Sequence, residues 1–143
     1  MNNSEKIEDW LKRSNSNLAR AEAGKVSSEV LYEDLCFDIQ QAVEKVFKAL
    51  CIKEGIDFPR THNIEFLIEK LEKKGVKIPE NIKKAKMLTE YAVETRYPGD
   101  YDPVEEDEYK EMLKIGQDVI KWIKKVINSN HDPNNNQLDL PLK

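Results

Sequence analysis

Apolar side chains recur along this chain at intervals of three, four and seven residues, the mark of helices that bury one face. Ile7, Trp10, Leu11, Leu18 and Ala21 form the first stripe and predict a helix from Ser4 to Ala23, with Ser4 as N-cap and Gly24 as the stop. The second, from Ser28 to Glu54, is the most apolar. Leu31, Leu35, Ile39, Val43, Val46 and Leu50, with Tyr32, Cys36, Phe47 and Cys51 between them, make a face broad enough for several neighbours. Gly55 ends it and Pro59 confirms the break. A third helix is predicted over His62 to Lys74, capped by Thr61 or Asn63 and carrying Ile64, Leu67, Ile68 and Leu71. A fourth opens at Pro79 and runs through Ile82, Ala85, Leu88 and Ala92 to about Thr95. In the fifth, Asp102-Pro103-Val104-Glu105 reads as N-cap, first-turn proline and N3 acid, and the stripe continues to about Ile127. Its acidic start and its lysines at 121, 124 and 125 complement the helix dipole.

No segment alternates with a period of two, so no strand is expected and the chain reads as all-α. The helical pattern collapses after residue 127. Residues 128–143 are Asn-rich and polar, and are expected to form a disordered tail. Leu138, Leu140 and Leu142 would let that tail dock as an extended peptide, although a frayed end is the simpler reading.

Composition narrows the partners. A chain of 143 residues is one domain by size, and its net charge of −4 means that any nucleic-acid contact needs a local basic patch. Such a patch is offered by Lys70, Lys73, Lys74, Lys77, Lys83, Lys84 and Lys86, set against Glu72 and Glu80. Solvated helix faces are the ordinary meaning of such a run, and it holds no base-stacking aromatic. Cys36 and Cys51 are about four helical turns apart, too far to bridge, and two reduced thiols fit a cytoplasmic location. There is no long apolar run for a membrane span and no metal-ligand spacing.

The segment from Tyr91 to Gly99 carries the clearest candidate chemistry. Pro98 and Gly99 must stop a helix there, which places Arg96 at a helix end beside a loop. A guanidinium so mounted either caps the last carbonyls or forks onto a carboxylate or phosphate. Tyr97 and Tyr101 beside it are stacking platforms for a base or plain edge aromatics with wet hydroxyls. His62 is a side chain of the type suited to acid–base work, or simply hydrogen-bonds a neighbouring helix. Asp34 and Asp38 lie one turn apart, but with no third ligand in view no metal site is expected, and Gln40 and Gln41 read as partners for a neighbouring helix or a dimer mate.

Several stretches, in order, resemble the HEPN domain family. Asp9-Trp10-Leu11-Lys12-Arg13-Ser14 is similar to its first-helix signature, and the run from Asp34 through Leu50 to its second helix. Pro59-Arg60-Thr61-His62-Asn63-Ile64 and the stretch from Tyr91 to Gly99 resemble the start of its third helix and the exit of its fourth. The resemblance implies an up-and-down bundle of four to five helices over residues 1–127, often a symmetric homodimer. It also implies a minimal nucleotidyltransferase as partner in a toxin–antitoxin-like pair, with RNA or nucleotide bound or cut. Many members are metal-independent RNases that use an arginine and a histidine separated by four to six residues, and no cofactor is implied. Arg96 matches the arginine; Tyr101 stands where the histidine is expected, so activity is left open between an endoribonuclease and a silent binding or scaffold module. On this resemblance Arg96 and His62 are the catalytic candidates, and Arg96, Tyr97, Tyr101 and Arg60 the nucleotide- or RNA-binding ones.

Because the tail lacks a buried stripe, truncation after residue 128 is expected to leave the melting temperature nearly unchanged in a calorimetric scan. A large drop would mean that the tail docks on the bundle.

Overall fold

The computed structural model describes residues 1–92 and 97–129, and every regular element among them is helical. Helix α1 spans Asn3–Ala23, α2 Tyr32–Lys53, α3 Ile64–Lys73 and α4 Glu80–Lys83. A 3₁₀ segment over Lys84–Tyr91 continues α4, and α5 spans Glu106–Asn128. Helix α2 is central: α1, α3, α5 and the 3₁₀ segment all pack on it. Its Ile39, Val43, Val46, Phe47 and Leu50 are fully buried, as the breadth of its apolar face predicts. None of the described helices is long and apolar enough to cross a membrane.

The predicted elements are present, but several of their ends differ. Helix α1 starts one residue earlier, and its cap is Asn2 rather than Ser4. The Asn2 side chain accepts from the Glu5 backbone N–H at 2.8 Å, and the Glu5 carboxylate accepts from the Asn2 N–H at 3.0 Å. Helix α2 starts at Tyr32 rather than Ser28, and Leu31 is exposed, not core, because the chain enters the helix only after it. Helix α3 starts at Ile64, which leaves His62 in the preceding loop; Asn63 is the cap and accepts from Phe66 N–H at 3.1 Å. Pro79 is the residue before α4, which gives way after one turn to tighter 3₁₀ geometry ending at Tyr91, with Ala92 extended. The expected fourth helix is therefore not α-helical between Lys84 and Ala92, and its predicted end at Thr95 lies outside the described residues. Helix α5 starts at Glu106 with no side-chain cap, so the capping box at Asp102 to Glu105 is absent; Val104 is drawn into the core instead. Residues 93–96, with Arg96, and residues 130–143, which make up most of the predicted tail, lie outside the described residues.

Helix α1 is attached differently from what its stripe implies. Ile7, Trp10, Leu11 and Leu18 are only half-buried, whereas Ser14, Asn17 and Ala21 face α2. Ser14 Oγ donates to the Ala42 carbonyl at 2.7 Å. Asn17 donates to Asp38 at 3.0 Å and accepts from Lys45 at 2.7 Å, while Arg20 grips the same Asp38 at 2.9 Å. Small and polar residues let the two backbones approach, and hydrogen bonds rather than apolar bulk set the register.

Two side chains fix the far end of the bundle. The Tyr91 hydroxyl donates to Glu108 at the start of α5, and burial together with that bond raises the phenol well above its ordinary range. Thr89 Oγ1 accepts from the Ile64 backbone N–H at 3.2 Å, so the 3₁₀ segment supplies a cap for α3.

Helix α5 meets α2 at Gly116, where an added Cβ would lie 2.7 Å from Ile39 Cγ2 and 3.6 Å from Val43 Cγ2. Ile39 is β-branched and fully buried, so it has nowhere to go. Alanine normally stabilises a helix interior by about 1 kcal/mol over glycine. Here Gly116→Ala is expected to destabilise instead, by about 1–3 kcal/mol, read from the midpoint of urea unfolding.

Candidate functional site

Helix α2 carries a line of polar residues one turn apart, Gln40, Glu44 and Lys48, on a face that is otherwise core. Glu44 and Lys48 form an ion pair at 2.6 Å, with side chains only 3% and 8% exposed. Two buried charges are tolerated only when paired and hydrogen-bonded, and both conditions are met. Glu44 also accepts from Gln40 at 3.0 Å and contacts His62 Nδ1 at 2.9 Å. The Lys48 ammonium lies over the rings of Trp10 and Phe58, at 5.3 and 5.8 Å. Gln40 in turn donates to the His62 carbonyl at 3.2 Å and accepts from Gln41 at 2.8 Å. The loop between α2 and α3 is thus tied to α2 twice, by the His62 carbonyl on Gln40 and by the His62 ring on the buried carboxylate.

Above this pair opens a cleft of about 570 Å³, lined by Trp10, Gln41, Glu44, Lys45, Lys48 and the loop residues 58–62. The His62 ring is 47% exposed at its wall, and Arg60 lies two residues away on the same loop. A carboxylate only accepts, so the Glu44 contact requires the proton on Nδ1 and leaves Nε2 as the basic nitrogen of the neutral ring. Burial holds the Lys45 ammonium below its ordinary value. The arrangement presents an oriented imidazole, a guanidinium and ammonium groups to one opening: groups suited to phosphate binding and proton transfer.

Comparison with known proteins identifies the family of the fold. The chain matches the HEPN domain family over residues 7–126. It belongs to that family. Two solved structures share the fold. A crystal structure of TT1696 from Thermus thermophilus is 28% identical with a TM-score of 0.70, over 83% of this chain and 96% of that one. A crystal structure of ST0689, described as an archaeal HEPN homologue, is 29% identical with a TM-score of 0.68, over 85% of this chain and 98% of that one. No curated protein gives a significant match.

Of the predicted site residues, the HEPN fold here brings His62 and Arg60 to one cleft. Tyr97 and Tyr101 are exposed, at 64% and 44%, and do not line it. Arg96 lies outside the described residues, as does His131, so His62 is the sole histidine among those described. Asp38 is held by Asn17 and Arg20, a register-setting role, and among the described residues no three or more His, Cys, Asp or Glu side chains converge as a metal site would require. Cys51 is buried and its thiol is pushed up to about 12, so it stays protonated at neutral pH and is a core residue. Gln40 and Gln41 bond to each other and, through Gln40, to the loop carrying His62. The residue that sequence reasoning missed is Lys48. The signal was available: Gln40, Glu44 and Lys48 recur at a spacing of four on the same face as Phe47 and Cys51, where a surface stripe has no reason to be.

Removing one member of the buried pair exposes its worth. Glu44→Ala strands the Lys48 charge and is expected to cost about 3–5 kcal/mol in urea unfolding. The double variant Glu44→Leu, Lys48→Met is expected to recover most of that loss, because it removes both charges together.

Proposed function

We propose that this HEPN protein engages RNA or nucleotide phosphate through the cleft above Glu44, as the HEPN half of a toxin–antitoxin-like pair with a minimal nucleotidyltransferase. The observation that carries the reading is the His62–Glu44 contact beside Arg60: a histidine held by a buried carboxylate at the wall of an open, largely basic cleft. In this reading Arg96 and Arg60 grip phosphate with charge-assisted bonds, His62 supplies acid–base chemistry, and Tyr97 and Tyr101 offer stacking surface. The pair of tyrosines lies apart from the His62 cleft within one subunit, which suits a homodimer in which both subunits contribute to one substrate path.

A second reading has an observation of its own. Tyr101 occupies the place of the family's histidine, so the arginine–histidine motif is incomplete. A catalytically silent HEPN that binds nucleotide or scaffolds its partner is consistent with that replacement.

Fluorescence anisotropy with a labelled single-stranded RNA, and incubation of the same RNA with chelator, test both readings. His62→Ala and Arg96→Ala are expected to weaken binding about tenfold, with little change in melting temperature for Arg96→Ala. Arg96→Lys should rescue poorly, because lysine lacks the planar fork. Cleavage that needs His62 supports the nuclease; binding without cleavage, converted to cleavage by Tyr101→His, supports the degenerate site. Absence of RNA and nucleotide binding would refute the reading, and light scattering of the same sample as a monomer would refute the dimer.

A further inference from the structure

Helix α3 ends beside the start of the α2–α3 loop, and there a second hollow, of about 410 Å³, is lined by Gly55, Ile56, Phe66, Glu69, Lys70, Lys73 and Lys74. Its composition is unlike that of a solvated helix face. Three ammonium groups stand against one carboxylate. Lys70, Lys73 and Lys74 form no ion pair with any described residue, whereas Lys83, on the next element, is taken up by Glu72 and Glu80. Between the ammonium groups the floor is apolar: Ile56 and Phe66 are both half-buried against the core. Lys70 Nζ lies over the Phe66 ring at 5.6 Å, which shows that a face of the ring is open to a charged group at the surface. Lysines at a helix C-terminus complement the dipole, but the dipole has no use for an aromatic floor among them.

We infer that this hollow is a second nucleotide subsite for single-stranded RNA, with one base laid on Phe66 and the flanking phosphates on Lys70, Lys73 and Lys74. The inference rests on the RNA-binding reading of the His62 cleft. A planar base with a phosphate on either side matches an apolar ring ringed by ammonium groups; an acidic peptide would use the lysines and leave Phe66 without a partner. The two hollows are lined by neighbouring residues of one loop. Ile56 lines the second hollow and Phe58 the His62 cleft, two residues apart, so their Cα atoms are within about 7 Å. A strand leaving the cleft at Arg60 and His62 therefore reaches Phe66 by following the loop. When a base stacks, the Lys70 ammonium moves off the ring by a rotamer change and joins the phosphate.

The test is the length dependence of binding, measured with the full chain, a labelled dinucleotide and a labelled dodecamer of single-stranded RNA. The parent should bind the dodecamer more tightly. Lys73→Gln with Lys74→Gln should weaken dodecamer binding about tenfold and lower the slope of log affinity against log salt by about 1.4 units. Phe66→Leu, which keeps an apolar side chain on the core, should weaken it about fivefold or more. Neither change should alter dinucleotide binding, which the His62 cleft provides. Dodecamer affinity unchanged in both variants overturns the subsite and leaves the cleft reading intact. Loss with the lysine pair but not with Phe66→Leu, together with equal displacement of the dodecamer by polyglutamate from parent and Phe66→Leu, overturns it in favour of an acidic protein partner. A parent that binds neither oligonucleotide overturns the subsite and the RNA reading together.

Discussion

Two full charges sit one turn apart on the central helix of this bundle, almost wholly out of water, and most of the molecule's polar architecture is arranged around them. Desolvating an ammonium and a carboxylate costs several kcal/mol each, so Glu44 and Lys48 persist only because their contact is short and the groups around them are matched to their charge. Gln40 and His62 satisfy the carboxylate, and Trp10 and Phe58 cover the ammonium. A hydrophobic pair of the same volume would pack as well. What it would not do is hold a loop: the α2–α3 connection is fixed by a histidine whose side chain and carbonyl both reach the Gln40–Glu44 line.

The same principle explains why α1 is bound so largely by polar contacts. Its inward face presents Ser14, Asn17 and Ala21, and the chain of bonds from Arg20 through Asp38 and Asn17 to Lys45 sets its register along α2. Small residues permit a close approach, and directional bonds make one register far better than its neighbours. Trp10, left half-buried, then has its ring over Lys48 rather than in the core. The packing of α1 and the shape of the cleft are therefore one problem, since a slip of α1 would remove a wall of the site.

Helix number, order and the central place of α2 were legible in the sequence because each depends on a long stripe, and a stripe averages over many residues. Helix ends were less legible, because each is decided by a single local competition. Ser4 and Asn2 are both good caps, and Asn2 prevails because Glu5 lies three residues on and can return the bond. At Asp102 the capping pattern is complete in sequence yet yields to the burial of Val104. The fourth helix shows the converse: its apolar spacing fits 3.6 residues per turn, but the segment tightens to 3₁₀ geometry and ends at Tyr91, whose hydroxyl is held by Glu108. In the site, His62 and Arg60 were found because they stand in a recognisable stretch. Lys48 was not, because a lysine in an apolar run reads as a surface residue until its carboxylate and its two aromatic neighbours are seen together.

The position of His62 is set from two elements at once. Two independent anchors set the backbone on either side of the helix α3 start: Gln40 holds the His62 carbonyl, and Thr89 caps the Ile64 N–H from the 3₁₀ segment. Thr89 belongs to the 3₁₀ segment, so this anchor comes from an element other than α2. Glu44 holds the ring itself, so side chain and backbone are fixed by separate contacts. The loop at residues 60–63 is therefore positioned by hydrogen bonds from two elements, and the orientation of the imidazole depends on the fold's connections as well as on its core.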